Sequence, residues 1–158
     1  MRVEQLMTRN VASCRLGDSL NCAARLMWEH DCGCVPIADG RGKVVGIVTD
    51  RDVCMAAYTQ GKALGDIPVT VAMTPAVVTC APDESVEDAE AQMGENRIRR
   101  LPVVQDGQLV GILSLNDVAL AAKDGRRSKD RISAVDVART LATISEHRPP
   151  PHRITEAE

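Results

Sequence analysis

The chain has 158 residues, 44% of them apolar, yet no Phe, one Trp and one Tyr, so its core has to be aliphatic and methionine-rich. A net charge of −3 and a pI near 5.6 exclude a global basic field of the kind that attracts nucleic acid, and two lone aromatics cannot make the stacking platform of a single-strand binder. No apolar run approaches the roughly 20 residues that span a bilayer, and MRVEQLMTRN has no signal-peptide core; a cytoplasmic chain with six reduced cysteines is expected, with neither nucleic acid nor membrane as partner.

In chain order, VEQLM (3–7) reads as a short helical lead-in and Val11–Cys14 as a short apolar strand. Ser19 then occupies an N-cap position, and Leu20, Ala23 and Met27 fall at helical spacing on one face. CVPIA (34–38), the turn DGRGK and VVGIV (44–48) read as a hairpin, and a second helix starts inside GIVTDRDV. Residues 59–70, TQGKALGDIPVT, read as a linker between a first repeat (1–58) and a second (71–122). The order then recurs: lead-in VTVAM, strand Val77–Cys80, N-cap Ser85 before Val86, Ala89 and Met93, strand RLPVV, turn DGQ, strand LVGIL, and a helix beginning in GILSLNDV. Met7, Cys14, Ser19, Ala23, Met27 and Pro36 match residues 66 positions later, and Gly46, Ile47, Asp52 and Val53 match residues 65 positions later. Matched positions at a constant offset mark an internal duplication. KDGRRSKDR (123–131) reads as a charged linker. A C-terminal helix is expected over 132–147, capped by Ser133 with Asp136 at N3. Its Ile132, Val135, Leu141 and Ile144 lie along one face that must bury against the module or a partner chain. The end, RPPPHRITEAE (148–158), has a composition expected to stay disordered.

The repeated frame is Gly, two aliphatics, a hydroxyl, two variable residues, Asp and Val. Thr49 with Asp52, and Ser114 with Asp117, fit a helix-capping box, which needs no ligand. The same helix start offers free N–H groups and a partial positive charge to a phosphate. A carboxylate there can accept from ribose hydroxyls, and the glycine lets another backbone come close.

The element order, with this frame in both copies over roughly residues 1–122, resembles the CBS domain in tandem, the CBS pair, in its small stand-alone form. The resemblance implies an α+β fold of two β-α-β-β-α units related by pseudo-two-fold symmetry, followed here by the extra C-terminal helix. It implies a regulatory module that binds an adenosine-containing ligand (AMP, ADP, ATP, NAD or S-adenosylmethionine) between the repeats and signals by a change of shape as a homodimer. Its residue roles carry over as two sites. The first takes Val11, Ser13, Cys34, Val35, Pro36, Thr49, Arg51 and Asp52. The second takes Val77, Thr79, Arg99, Arg100, Leu101, Pro102, Ser114, Asn116 and Asp117. The aspartates would hold ribose and the aliphatics would sandwich the base. Arg97, Arg99 and Arg100 stand where the first repeat has Asp31, Gly33 and Cys34, so the second site is expected to be the better phosphate binder.

His30, Cys32 and Cys34 are the metal candidates read from the sequence, but three ligands at this spacing match no finger or ribbon. Reduced structural cysteines are the expected state and no cofactor is required, although some CBS-pair proteins carry zinc. No nucleophile–base pair or Walker lysine supports an enzyme. Two alternatives stand beside the sensor: a metal- or redox-responsive scaffold using His30, Cys32 and Cys34, and a ligand-free dimerisation module.

Overall fold

A computed structural model describes residues 1–123 and 132–146; the charged linker from 124 onward and the tail from 147, His147 included, lie outside the described residues. Strand β1 (Cys14–Arg15) and helix α1 (Leu20–Glu29) lead into the hairpin β2 (Cys34–Ala38) and β3 (Val44–Thr49), and α2 (Asp50–Gln60) follows at once. The short helix α3 (Val69–Ala72) opens the second copy. It continues as α4 (Val86–Asn96), β4 (Arg100–Gln105), β5 (Gln108–Ser114) and α5 (Leu115–Lys123), and α6 (Ala134–Ser145) ends the described chain. The fold is α+β with a β1-β2-β3 sheet in the first repeat and a β4-β5 hairpin in the second.

The duplication is written into the hydrogen bonds. Cys14 pairs in parallel with Ile37, and Cys80 makes the equivalent parallel bridge to Val103. The Arg15 N–H donates to Asp18 at 2.7 Å and the Ala81 N–H to Glu84 at 2.8 Å, closing the same turn. The expected strands Val11–Cys14 and Val77–Cys80 shrink to Cys14–Arg15 and to the single bridge at Cys80. Only the last residue of the second segment reaches the sheet, while Val77 and Val78 line a cleft.

Each lead-in packs against the other copy. Residues 1–7 form a turn over Val3–Gln5 and put Val3 and Met7 into a core with Val86, Met93, Leu101 and Leu113. Ile67 and Val69 join the other core, with Leu20, Val35, Ile37 and Val48. Thr8 bridges Ile112, and Thr74 bridges Ile47. Cutting the sequence into 1–58 and 71–122 therefore follows the repeat but not the packing. The stretch expected to be a linker carries Ile67, only 2% exposed, and α2 runs on through Gln60 before Gly61 ends it. Large aliphatics with no exposure, each worth roughly 1.5–3 kcal/mol when buried, supply the core that the missing Phe cannot.

Helix α6 starts at the expected Ser133 cap, whose Oγ accepts from the Val135 N–H, and it lies on α4 and α5. Ile132, Val137 and Ile144 meet the second core. Val135 and Leu141, expected on the same buried face, are 65% and 45% exposed. Residues 137 and 144 are seven apart, two helical turns, and with half-buried Ser133 and Thr140 mark the inner stripe; Leu141 lies at the edge of that stripe and Val135 on the opposite side of the helix.

Candidate functional site

Two helix starts carry the repeated frame, and both close as capping boxes. The Thr49 N–H and hydroxyl donate to Asp52 Oδ2 at 2.9 and 2.7 Å, and the Asp52 N–H donates back to Thr49 Oγ1 at 3.3 Å. Ser114 and Asp117 repeat this at 2.8, 2.6 and 3.2 Å. Among the described residues, every bond to either carboxylate is made at Oδ2, which leaves Oδ1 of each for another donor.

The frame's glycine is explained by packing. A Cβ on Gly46 would come within 2.6 Å of Met73 Sδ. One on Gly111 would meet Met7 Sδ at 2.6 Å and the Thr8 carbonyl oxygen at 3.0 Å. The lead-in of one repeat is admitted against the hairpin of the other because this residue has no side chain.

A cleft of ≈ 920 Å³ opens at the first of the two helix starts. Thr49, Asp50, Arg51 and Asp52 line it with Cys34 and Ile47 from the first repeat, and Arg97, Ile98, Arg99, Arg100 and Pro102 line it from the second. Thr74, Ala76, Val77 and Val78 line it as well, and so do Ile144, Ser145 and Glu146 at the end of α6. The site residues named from the sequence are thus regrouped. Cys34, Thr49, Arg51 and Asp52 of the first set share a cleft with Val77, Arg99, Arg100 and Pro102 of the second. The two arginines sit beside Thr49 and Asp52 because the start of β4 faces the first repeat; a Cβ on Gly33 would lie 2.8 Å from Arg100 Nη2. Ser114, Asn116 and Asp117 lie outside this cleft, as do Val11, Ser13, Pro36 and Thr79. Val35 and Leu101 have no exposed surface, and their side chains belong to the first and second cores. The α6 end was not legible as a wall, since no local pattern tells where a helix beyond a linker will land. A smaller pocket of ≈ 330 Å³ between α1 and α2 is lined by Met27, Trp28, Asp31, Cys32 and Val53 and shares Asp50 with the cleft.

The electrostatics follow from the same packing. Arg97 holds a left-handed φ of 53° at the end of α4 and meets Glu146 at 3.5 Å. Burial pushes the Cys34 thiol up to about 11, against the pull of Arg100, with Cys32 and Asp50 adding to the rise. His30 and Cys32 are exposed while Cys34 is buried, and the Cys32 thiol donates to the Cys34 carbonyl at 3.4 Å. Among the described residues these three do not gather their ligand atoms around one point, because β2 begins at Cys34 and draws that side chain inward. No helix among the described residues is long and apolar enough to cross a membrane.

The CBS domain family model matches residues 3–58 and again 64–124. The CBS domain-containing protein YhcV of Bacillus subtilis is 37% identical over 118 residues, covering 75% of this chain and 83% of its own. Among solved structures, the CBS domain pair of protein MJ0100, in complex with 5-methylthioadenosine and S-adenosyl-L-methionine, superposes with a TM-score of 0.70 at 28% identity, covering 76% of this chain and 94% of that one. Hypoxic Response Protein I, solved with two coordinated zinc ions, gives a TM-score of 0.70 at 26% identity and covers 76% and 98%. Two family matches set on two copies of one hydrogen-bonded unit leave one conclusion: this chain belongs to the CBS-domain family, as a tandem pair.

Proposed function

We propose that the ≈ 920 Å³ cleft binds an adenosine-containing ligand bearing phosphate or another anionic group, and that the protein is a regulatory sensor rather than an enzyme. One observation carries this reading: the start of α2, with Thr49 and Asp52, lines the same cleft as Arg99 and Arg100. The cleft is within the range of ligand pockets, about 300–1,000 Å³. Asp52 Oδ1 would accept from ribose, the N-terminus of α2 and the arginines would hold the anion, and Ile47, Val77 and Ile98 would flank the base. The adenosine ligands of the MJ0100 pair support the class. A phosphate would compete with Glu146 for Arg97 and release the end of α6, which makes α6 the element that reports occupancy. Exposed Trp28 and Tyr58, 88% and 82% accessible, support a homodimer joined through the helices of the first repeat.

The test is thermal unfolding against AMP, ADP, ATP, NAD and S-adenosylmethionine, with Asp52→Ala and Asp117→Ala alongside. Both changes remove the same N3 half of a capping box, so each serves as the other's stability control. A ligand at about 100 times its Kd adds roughly 2.7 kcal/mol, a rise of several degrees at this chain length. The expected result is a rise for at least one ligand in wild type and in Asp117→Ala, lost in Asp52→Ala. A second reading, a ligand-free dimerisation module, draws on capping boxes that are already closed on themselves; the absence of any rise would favour it.

A further inference from the structure

Away from the cleft, the geometry points to a zinc-class metal site built by Cys14, Asp18 and Cys22. One ligand atom from each of the three lies within 4.8 Å of the other two. Cys22 Sγ is 3.8 Å from Asp18 Oδ2. In a tetrahedral zinc centre with Zn–S near 2.3 Å and Zn–O near 2.1 Å, the sulfur–oxygen edge is about 3.6 Å and the sulfur–sulfur edge about 3.8 Å. The three side chains therefore need only small rotations to share one ion.

Each ligand is held by a different local device. Cys14 lies in β1 with no exposed surface. Asp18 is oriented by the Arg15 N–H, which donates to Oδ2 at 2.7 Å and leaves that oxygen a second lone pair with which to bind. Cys22 stands on the first turn of α1, three residues after the cap Ser19, with Arg25 Nη2 3.9 Å from its sulfur. That guanidinium supplies outer charge compensation for a thiolate. Asp18 and Cys22 are only half-buried, so the fourth position opens to water. On binding, two S–metal bonds replace two S–H bonds and two protons leave to solvent.

The second repeat provides an internal comparison. Its equivalents are Cys80, Glu84 and Asp88. Glu84 closes the same turn, which shows that the acidic residue has a structural duty in both copies. Asp88 instead accepts from the Ser85 hydroxyl at 2.7 Å. What the first repeat adds is a second thiol at the helix start, and that addition completes a ligand set of two sulfurs and one oxygen suited to zinc.

The test titrates reduced full-length protein with Co²⁺ in the absence of nucleotide, then with Zn²⁺, and it is independent of the cleft. The expected result is one equivalent of Co²⁺ with a thiolate-to-cobalt charge-transfer band that one equivalent of Zn²⁺ removes. Cys22→Ser, at a half-buried position where folding is checked by thermal unfolding, should weaken binding by more than about tenfold and diminish the band. Asp18→Asn keeps an oxygen for the Arg15 N–H, so the turn persists; it should weaken binding while the thiolate band remains. Cys32→Ser and Cys54→Ser, both at exposed positions, should change nothing. No band in wild type, a band that survives Cys22→Ser at full strength, or a band lost in Cys32→Ser or Cys54→Ser would overturn the assignment.

Discussion

At the scale of single residues, the two frame glycines differ in what they admit. The atoms nearest a Cβ on Gly46 all belong to the side chain of Met73, whereas those nearest one on Gly111 include the Thr8 carbonyl oxygen at 3.0 Å beside Met7. A methionine end can turn aside and a bridged backbone cannot, since Thr8 is tied to Ile112 through both of its backbone groups. Gly111→Ala should therefore destabilise by about 1–3 kcal/mol and Gly46→Ala by less, read as the difference in urea midpoint at unchanged slope. The buried thiols belong to this scale as well. Burial first, then Cys22 and Asp18, push Cys14 up to about 12, and burial with Glu84 does the same for Cys80, so both stay protonated near neutral pH unless a metal displaces the proton.

At the scale of elements, α6 is docked over an unusual residue. Glu90 on α4 is 5% exposed, and its Oε1 has no partner among the described residues. Burial, then Asp136 of α6, then Glu87, raise its carboxyl to about 7 from 4.5. The folded state thus prefers the protonated form. The stability this group allows is fully present below about pH 4.5 and is lost as pH rises through about 7. Glu90→Gln should be close to neutral at pH 4 and stabilising above pH 7, on the order of 2 kcal/mol. Thermal unfolding of both proteins from pH 4 to 8 checks this, the two curves separating within that window. Because α6 carries Glu146 into the cleft wall, the same rise in pH should loosen the element that closes the proposed ligand site.

At the scale of the whole molecule, the exchange of lead-ins makes the two repeats one folding unit. Val3 and Met7 complete the second core, and Ile67 and Val69 complete the first. Neither repeat, cut at the boundary of the duplication, retains its own core. Val3, with no exposed surface, joins a core whose members outside its own lead-in lie more than 70 residues further along the chain. Val3→Ala should cost about 2 kcal/mol and lower a single cooperative transition in which both repeats unfold together. A first transition confined to the second repeat would contradict the reciprocal packing.

The sequence alone determined what is local or periodic. The duplication, the caps at Ser85, Thr49 and Ser133, the hairpins and the buried faces of α1 and α4 depend on neighbours within a few residues, where propensity and hydrogen-bond chemistry act directly. The repeated helix start could be read as a place able to hold an anion for the same reason. The tertiary structure decided which partners meet. It brought Thr49 and Asp52 into one cleft with Arg99 and Arg100, buried Val35 and Leu101 in the cores, and left Val135 and Leu141 exposed. It also gathered Cys14, Asp18 and Cys22 in place of His30, Cys32 and Cys34. These outcomes depend on how two half-buried surfaces fit together, and packing of that kind is a property of pairs of elements that no single stretch of chain contains.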